Sequence, residues 1–135
     1  MSDANVALVR SSFEAFGRGD FDAASAAYDP GVEWQTADDE PDFRLYRGIA
    51  ELRAFVDHIA DPWTDRFGPA IEFEDFIDCG DWVVAPWTAR LHGHGSGIEI
   101  DVSETYAVRI TDGRIAQVVE YRTTEQALEA VGPAQ

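Results

Sequence analysis

The sequence contains no lysine, one cysteine and one methionine among its 135 residues. All ten basic residues are therefore arginines, and 26 acidic residues outnumber them, which gives a formal net charge of −16 at pH 7. A surface of this charge repels phosphate backbones and anionic lipid headgroups. The composition therefore argues against a nucleic acid or a membrane surface as the partner.

The single cysteine, Cys79, excludes an internal disulfide bond and is typical of proteins from a reducing compartment. No stretch approaches the length of apolar sequence that a membrane-spanning helix needs. The first residues, MSDANVALVR, lack the charged start and the apolar run of a signal peptide. We therefore expect a cytoplasmic protein.

The residues that are present favour one globular domain. Hydrophobic residues make up 45% of the chain. A chain of 135 residues is long enough for one core and too short for two ordinary domains. We find no repeat, linker or low-complexity segment, so we expect a single domain that spans residues 1–135.

Hydrophobic spacing divides the chain into helices first and strands later. Apolar residues at helical spacing predict helices over residues 3–17, 21–28 and about 52–59. The segment 37–48 is predicted to be an acidic loop, and Thr123 with Gln126 resembles a capping box before a closing helix that ends at Gly132. Alternating residues and hairpin turns predict strands over 31–36, 70–79, 82–92, 98–110 and 114–121.

This order of elements predicts an α+β fold. About three N-terminal helices would pack on one face of a curved antiparallel or mixed sheet, and a short C-terminal helix would close the chain. Three helices cannot fill such a sheet completely. We therefore expect a cone-shaped cavity between the helices and the sheet.

One predicted strand carries a charged residue on its apolar face. In the stretch IEIDVSETYAVRI, which runs from Ile98 to Ile110, every second residue is apolar except Glu104. Alternate residues of a strand share one face, so Glu104 points to the same side as Tyr106. A buried, unpaired glutamate is rare. The pattern favours a pocket into which Glu104 points over a structural carboxylate that is bonded in the core.

The hairpin turn before this strand can be used to predict its register. A shift by one residue would bring Arg90 and His92 to the inside. We prefer the register that places charges opposite charges on the wet face, with Trp87 on the inner face beside Glu104. A tight turn at residues 95–96 gives this register, which pairs Arg90 with Asp101 and His92 with Glu99.

The hairpin turn after this strand, TDGR, allows two registers. A two-residue turn at Asp112-Gly113 puts Val119 and Tyr121 on the face of Glu104. A three-residue loop with a glycine bulge puts Val118 and Glu120 there instead. The residues themselves do not choose between the two.

Four segments, in this order, resemble a known superfamily: FEAFGRGDFDAASAAYDPGVEW, YRGIAELRAF, FIDCGDWVV and TYAVRITDGRIAQVVEYRTTEQALEAVG. Over residues 4–132 the chain resembles the SnoaL-like branch of the nuclear transport factor 2-like superfamily. The resemblance implies a curved sheet wrapped on helices, a pocket inside the cone and a homodimer through the outer sheet face. It implies no single reaction, because the relatives include ketosteroid isomerases, limonene epoxide hydrolase, polyketide cyclases and dehydratases.

The resemblance also implies roles for single residues. Limonene epoxide hydrolase has a catalytic aspartate at the distance from its DG turn where this chain has Glu120, which favours the three-residue loop and sets Glu104 and Glu120 face to face. Tyr106 resembles in position the aspartate that helps to form the oxyanion hole of ketosteroid isomerases. Two positions depart from the relatives, since the isomerase general base falls at Trp34 and the Arg-x-Asp pair of the hydrolase falls at Arg90-Leu91-His92.

Two carboxylates in an apolar cavity are expected to raise each other's pKa, so that one acts as an acid and the other as a base. We therefore predict acid–base chemistry on a small, largely apolar molecule, by isomerisation, cyclisation, dehydration or epoxide opening. The predicted catalytic residues are Glu104, Glu120 and Tyr106. The predicted substrate-binding residues are Trp34, Trp63, Trp87, Phe55 and Tyr46.

Other classes of site find little support in the sequence. No nucleotide fingerprint, nucleophile elbow or zinc motif occurs, so we expect no cofactor. His92 and His94 could bind a metal ion together with Glu99, but no further strong ligand has the right spacing, and we predict no metal site. Two other functions remain open, a non-catalytic ligand-binding module and a dimeric structural module with a residual cavity.

Overall fold

The computed structural model describes residues 2–37, 45–60, 71–92, 97 and 99–132. Within these residues, seven strands form one sheet in the order β2-β1-β7-β6-β5-β3, and β4 also pairs with β5. The elements in chain order are α1 (Ser2–Gly17), α2 (Phe21–Ser25), β1 (Tyr28–Gln35), β2 (Leu45–Arg47), α3 (Gly48–Ala60), β3 (Ile71–Phe73), β4 (Ile77–Cys79), β5 (Trp82–His92), β6 (Glu99–Thr111), β7 (Arg114–Tyr121) and α4 (Thr124–Val131).

The predicted α+β class is confirmed, and the sheet is curved and unclosed. Strand β1 runs parallel to β7, whereas β5, β6 and β7 form the predicted antiparallel meander. The sheet is therefore mixed. A parallel pair needs a long crossover connection, and here the chain between β1 and β7 includes α3 and the rest of the sheet.

Helices α1, α2 and α3 cover one face of the sheet, and α4 covers part of the other. Phe13 of α1 and Leu52 of α3 are buried in one core together with Val83 of β5. Ala127 of α4 packs in a second core that includes Val84. Neighbouring residues of a strand point to opposite faces, so these two cores lie on the two sides of the sheet.

Four features of the secondary structure differ from the prediction. Helix α2 ends at Ser25, and β1 starts at Tyr28 rather than at residue 31. The Asp29 side chain accepts a hydrogen bond from the Gly31 N–H at 2.8 Å, within a bulge that accommodates Pro30, which has no N–H to give to the ladder. A short strand, β2, lies within the predicted acidic loop, and the predicted strand 70–79 is two strands, β3 and β4.

The other helices agree with the prediction more closely. The Thr123 side chain accepts the Gln126 N–H at 3.1 Å and the Gln126 side chain accepts the Thr123 N–H, which confirms the capping box of α4. Gly132 follows with a φ of 97°, a conformation that ends a helix and favours glycine. None of the helices in the described ranges is long and apolar enough to cross a membrane.

Candidate functional site

The β5–β6 register confirms the position that we predicted for Glu104. Arg90 lies opposite Asp101 and His92 lies opposite Glu99 in the backbone ladder. Arg90 Nε donates to Asp101 Oδ1 at 3.0 Å, so the first of these pairs is an ion pair on the exposed face. The His92 side chain and the turn at residues 93–96 lie outside the described residues, and the predicted absence of a metal site there stays a prediction.

The β6–β7 hairpin has a different turn from the predicted one, but Glu120 still lies on the same face as Glu104. The turn has two residues, Asp112 and Gly113, with φ values of 53° and 75°, and the predicted three-residue loop is wrong. Positive φ at both positions is typical of a type I′ turn, which follows the twist of a hairpin. One extra residue of β7, Ala116, then shifts the register, because the partners change from Ile110–Ile115 to Arg109–Gln117.

This bulge places Glu120 opposite Tyr106. Glu120 therefore shares the inner face with Glu104, as predicted, although the two carboxylates are diagonal neighbours rather than directly opposite. The position opposite Glu104 belongs instead to Arg122, since Thr105 pairs with Tyr121 one step earlier.

Glu104 is buried in an ion pair with Arg122. The Glu104 side chain is 2% exposed, and its Oε2 accepts a hydrogen bond from Arg122 Nη1 at 2.8 Å. The Arg122 side chain is 40% exposed, so its guanidinium connects the interior with the surface. A buried charge is costly unless it is paired. This pairing gives the physical reason why a carboxylate can lie on the apolar face of β6.

Sequence reasoning did not find Arg122. The signal for it was the register of the second hairpin, because a glutamate and an arginine that lie opposite each other form a favourable cross-strand pair. The prediction that the two carboxylates raise each other's pKa also did not take the positive charge of Arg122 into account. An adjacent guanidinium favours the ionised form of Glu104.

Glu120 is also buried, with 4% of its surface exposed. Trp34 Nε1 donates to Glu120 Oε2 at 2.6 Å. The parallel pairing of β1 with β7 places Trp34 opposite Val118, two residues before Glu120. Trp34 was predicted only as a wall of the pocket, and the structure adds that its indole N–H orients a carboxylate.

Tyr106 lies among aromatic rings. Its ring centre is 5.3 Å from those of Phe13 and Trp34 and 5.5 Å from that of Trp87. The first two contacts are edge-to-face, an arrangement that aromatic rings favour. The predicted residues Trp34, Trp87 and Tyr106 are thus brought together, with Glu120 bonded to the indole of Trp34.

The cavity between these rings is small. Its volume is about 10 Å³, which is the room that one water molecule needs. The wide cavity that we expected between the helices and the sheet is therefore nearly filled in this region. The cavity is lined by Phe13, Phe16, Gly17, Trp34, Phe73, Trp87 and Tyr106.

The predicted binding residues Tyr46 and Phe55 do not line this cavity. Tyr46 and Phe55 stack on each other, with ring centres 4.3 Å apart and an interplanar angle of 26°. They join β2 to α3 at the border of the same core. Trp63 lies outside the described residues. Among the residues that are described, no group of three or more His, Cys, Asp or Glu side chains could hold a metal ion.

Comparisons with known proteins agree with this architecture. The family model of the SnoaL-like domain matches residues 9–118. No functionally curated protein matches the sequence.

Solved structures are similar in fold along almost the whole chain. An NTF2-like protein from Burkholderia pseudomallei has a TM-score of 0.77 and 24% identity, with 95% of this chain and 97% of that chain covered. TerC, co-crystallised with polyporic acid, has a TM-score of 0.74 and 18% identity, with 95% and 98% covered. A candidate polyketide cyclase from Xanthomonas campestris has a TM-score of 0.73 and 20% identity, with 97% and 98% covered.

These structural neighbours share the NTF2-like cone, and at such identities they establish the fold alone. The family model covers most of the chain, from α1 to β7. The curved mixed sheet packs on three helices, and a fourth helix covers part of its other face. This chain belongs to the SnoaL-like domain family.

Proposed function

We propose that this protein is a small-molecule pocket protein that performs acid–base chemistry, without a cofactor, on a small and largely apolar substrate. One observation carries the proposal. Glu104 and Glu120 are both almost completely buried on the same face of the sheet, beside Tyr106. Two carboxyl groups in different surroundings supply the acid and the base that proton transfer needs.

The contacts of the two carboxyl groups suggest which one is the base. Glu104 has a guanidinium at 2.8 Å, which favours its ionised form. Glu120 has a neutral indole donor on one oxygen. The guanidinium beside Glu104 favours Glu104 as the base, and Glu120 is then the acid. Tyr106 would donate a hydrogen bond to an oxygen of the substrate.

The substrate must displace aromatic rings in order to bind. A cavity of about 10 Å³ between the described side chains does not hold an organic molecule. An apolar molecule of one or two rings would replace ring–ring contacts of Phe13, Phe73 and Trp87 with contacts of its own. Two neighbours of the same fold, the candidate polyketide cyclase and TerC with polyporic acid, are compatible with an organic ligand of this kind.

The experiment uses three probes, namely 3-cyclohexen-1-one, 1-tetralone in D₂O and styrene oxide, which report isomerisation, proton exchange beside a carbonyl and epoxide opening. We expect turnover of at least one probe. Glu104→Gln and Glu120→Gln should each lower that rate by about 10²- to 10⁴-fold. Glu99→Gln changes an exposed carboxylate on the same strand and is the matched control. Unchanged turnover in the variant that lacks both carboxylates would refute the proposal.

The small cavity favours one alternative, a non-catalytic ligand-binding or dimeric interaction module of the same fold. This alternative predicts no turnover of any probe and a ligand affinity that survives Glu104→Gln. The homodimer through the outer sheet face and the cytoplasmic location stay predictions. Analytical ultracentrifugation at several protein concentrations tests the first of them.

A further inference from the structure

A second and larger opening is lined in part by Glu120. This cleft has a volume of about 270 Å³, which is room for several water molecules. It lies where β1 and β7 end beside the first turn of α4. The residues that line the cleft are Gln35, Ala37, Val119, Glu120, Tyr121, Arg122 and Gln126.

The cleft reaches Glu120, and it reaches Glu104 only through the guanidinium of Arg122. Glu120 lines it directly. Arg122 lines it too, and the same guanidinium is bound to Glu104. The fixed orientation of Gln126 adds polarity to the wall, because its Oε1 accepts the N–H groups of Arg122 and Thr123 and its amide NH₂ therefore points the other way.

The inner cavity has the opposite character. Aromatic side chains dominate its lining, and neither Glu104 nor Glu120 is among its lining residues. Protons move along hydrogen-bonded polar groups and water, and aromatic rings offer them no such path. The inner cavity therefore offers apolar contacts, and the cleft that Glu120 lines offers polar contacts.

We propose that the cleft is the hydrated route by which Glu120 exchanges protons with solvent, distinct from the apolar cavity in which the substrate is bound. The inference rests on the proposed function for its purpose, since the route lets Glu120 regain or lose a proton while the substrate stays in place. A proton that Glu120 gives to the substrate is replaced from water in the cleft, which Glu120 lines directly.

The test follows a hydrogen atom that is donated to Glu120. The Trp34 indole N–H is bonded to Glu120, and its exchange with D₂O can be followed by NMR without any substrate. Its signal is identified by its loss in Trp34→Phe. We expect it to exchange faster than the backbone N–H of Val108, which lies in the centre of the sheet and exchanges only when larger parts of the fold open.

Filling the cleft should slow this exchange. Gln35 is half-buried on the cleft side of β1, and Gln35→Phe puts a ring into the cleft. We expect the Trp34 N–H to exchange about tenfold more slowly in this variant. Glu33→Phe is the matched control, because Glu33 lies on the same face two residues earlier and does not line the cleft, and it should change the rate by less than about twofold. Val119→Phe fills the cleft from β7 if Gln35→Phe does not fold.

Two results would overturn the inference. One is a Trp34 N–H that exchanges as slowly as the Val108 N–H in the wild type, because the cleft then gives water no access to the pair. The other is an equal rate in the wild type and in both cleft-filling variants. Failure of the proposed function has a different signature, since it shows as absent probe turnover while the exchange rates still respond to the cleft.

Discussion

Removal of the guanidinium beside Glu104 is the most direct test of the site. Arg122→Met keeps the backbone N–H that binds Gln126 and much of the side-chain length, but it leaves the Glu104 carboxylate, 2% exposed, without its positive partner. Breaking a buried ion pair costs about 3–5 kcal/mol. Because Arg122 is 40% exposed, water can replace part of the lost contact, and we expect about 3 kcal/mol at pH 7.

The cost of Arg122→Met should depend on pH. Without the guanidinium, the charged form of Glu104 is unfavourable in the folded state, with a second carboxylate, Glu120, on the same face. The folded variant therefore binds a proton more readily than its unfolded chain does, so its stability falls as the pH rises above about 4.3. We expect the cost to shrink to about 1 kcal/mol near pH 5 and to be largest near pH 8.

Urea unfolding measured between pH 5 and pH 8 tests this reasoning. Arg114→Met is the control, because Arg114 is an exposed arginine on β7, the strand that Arg122 directly follows, and we expect it to cost less than about 0.5 kcal/mol. A double-mutant cycle with Glu104→Gln should give a coupling of about 2 kcal/mol. A coupling near zero, or a cost that does not decrease towards pH 5, would refute the role assigned to the pair.

Three further predictions concern the residues around the pair. Trp34→Phe removes the hydrogen-bond donor from the buried Glu120 and should lower the free energy of unfolding by about 2 kcal/mol, measured by urea unfolding. The control is Trp82→Phe, at a half-buried tryptophan of the other core. Equal effects of the two substitutions would contradict the importance of the Trp34 indole N–H. Phe13→Ala should cost about 3–5 kcal/mol and enlarge the inner cavity enough to bind benzene, seen as a benzene-dependent rise in Tm that the wild type lacks. Burial raises the pKa of Tyr28. Above pH about 10 the phenol ionises in the unfolded chain but stays neutral in the folded protein, so the stability should fall progressively with pH. Tyr28→Phe should remove that loss in urea unfolding measured at alkaline pH.

Much of the fold followed from local patterns in the sequence. Periodicity and caps placed α1, α3, α4 and the strands β5 to β7, because these elements depend on residues that are close in the chain. Charge complementarity gave the correct β5–β6 register, since the two strands are joined by a short hairpin. Alternation along β6 was enough to place Glu104 inside.

The errors lie where distant segments meet. The two short strands β3 and β4 are separate because residues 74–76 lie opposite only two residues of β5, between the pairs Phe73–Trp87 and Ile77–Val84, an irregularity that no local pattern reveals. The bulge at Ala116 arises within β7, away from the turn whose length was used to predict the register. Together with the two-residue turn, it makes Arg122 instead of the predicted Glu120 the partner of Glu104, and so replaces a pair of like charges with an ion pair.

By itself, the sequence determined the class of the fold, the strand that carries the buried glutamate and the face to which it points, because backbone geometry repeats over a few residues. Only the tertiary structure decided that Arg122 neutralises Glu104, that Trp34 holds Glu120 and that the aromatic rings leave a cavity of about 10 Å³. These facts depend on the parallel pairing of β1 with β7 and on how side chains from three helices fill one space. Such packing depends on side-chain volumes and strand registers from segments that are far apart in the chain, so it cannot be read from any short stretch of sequence.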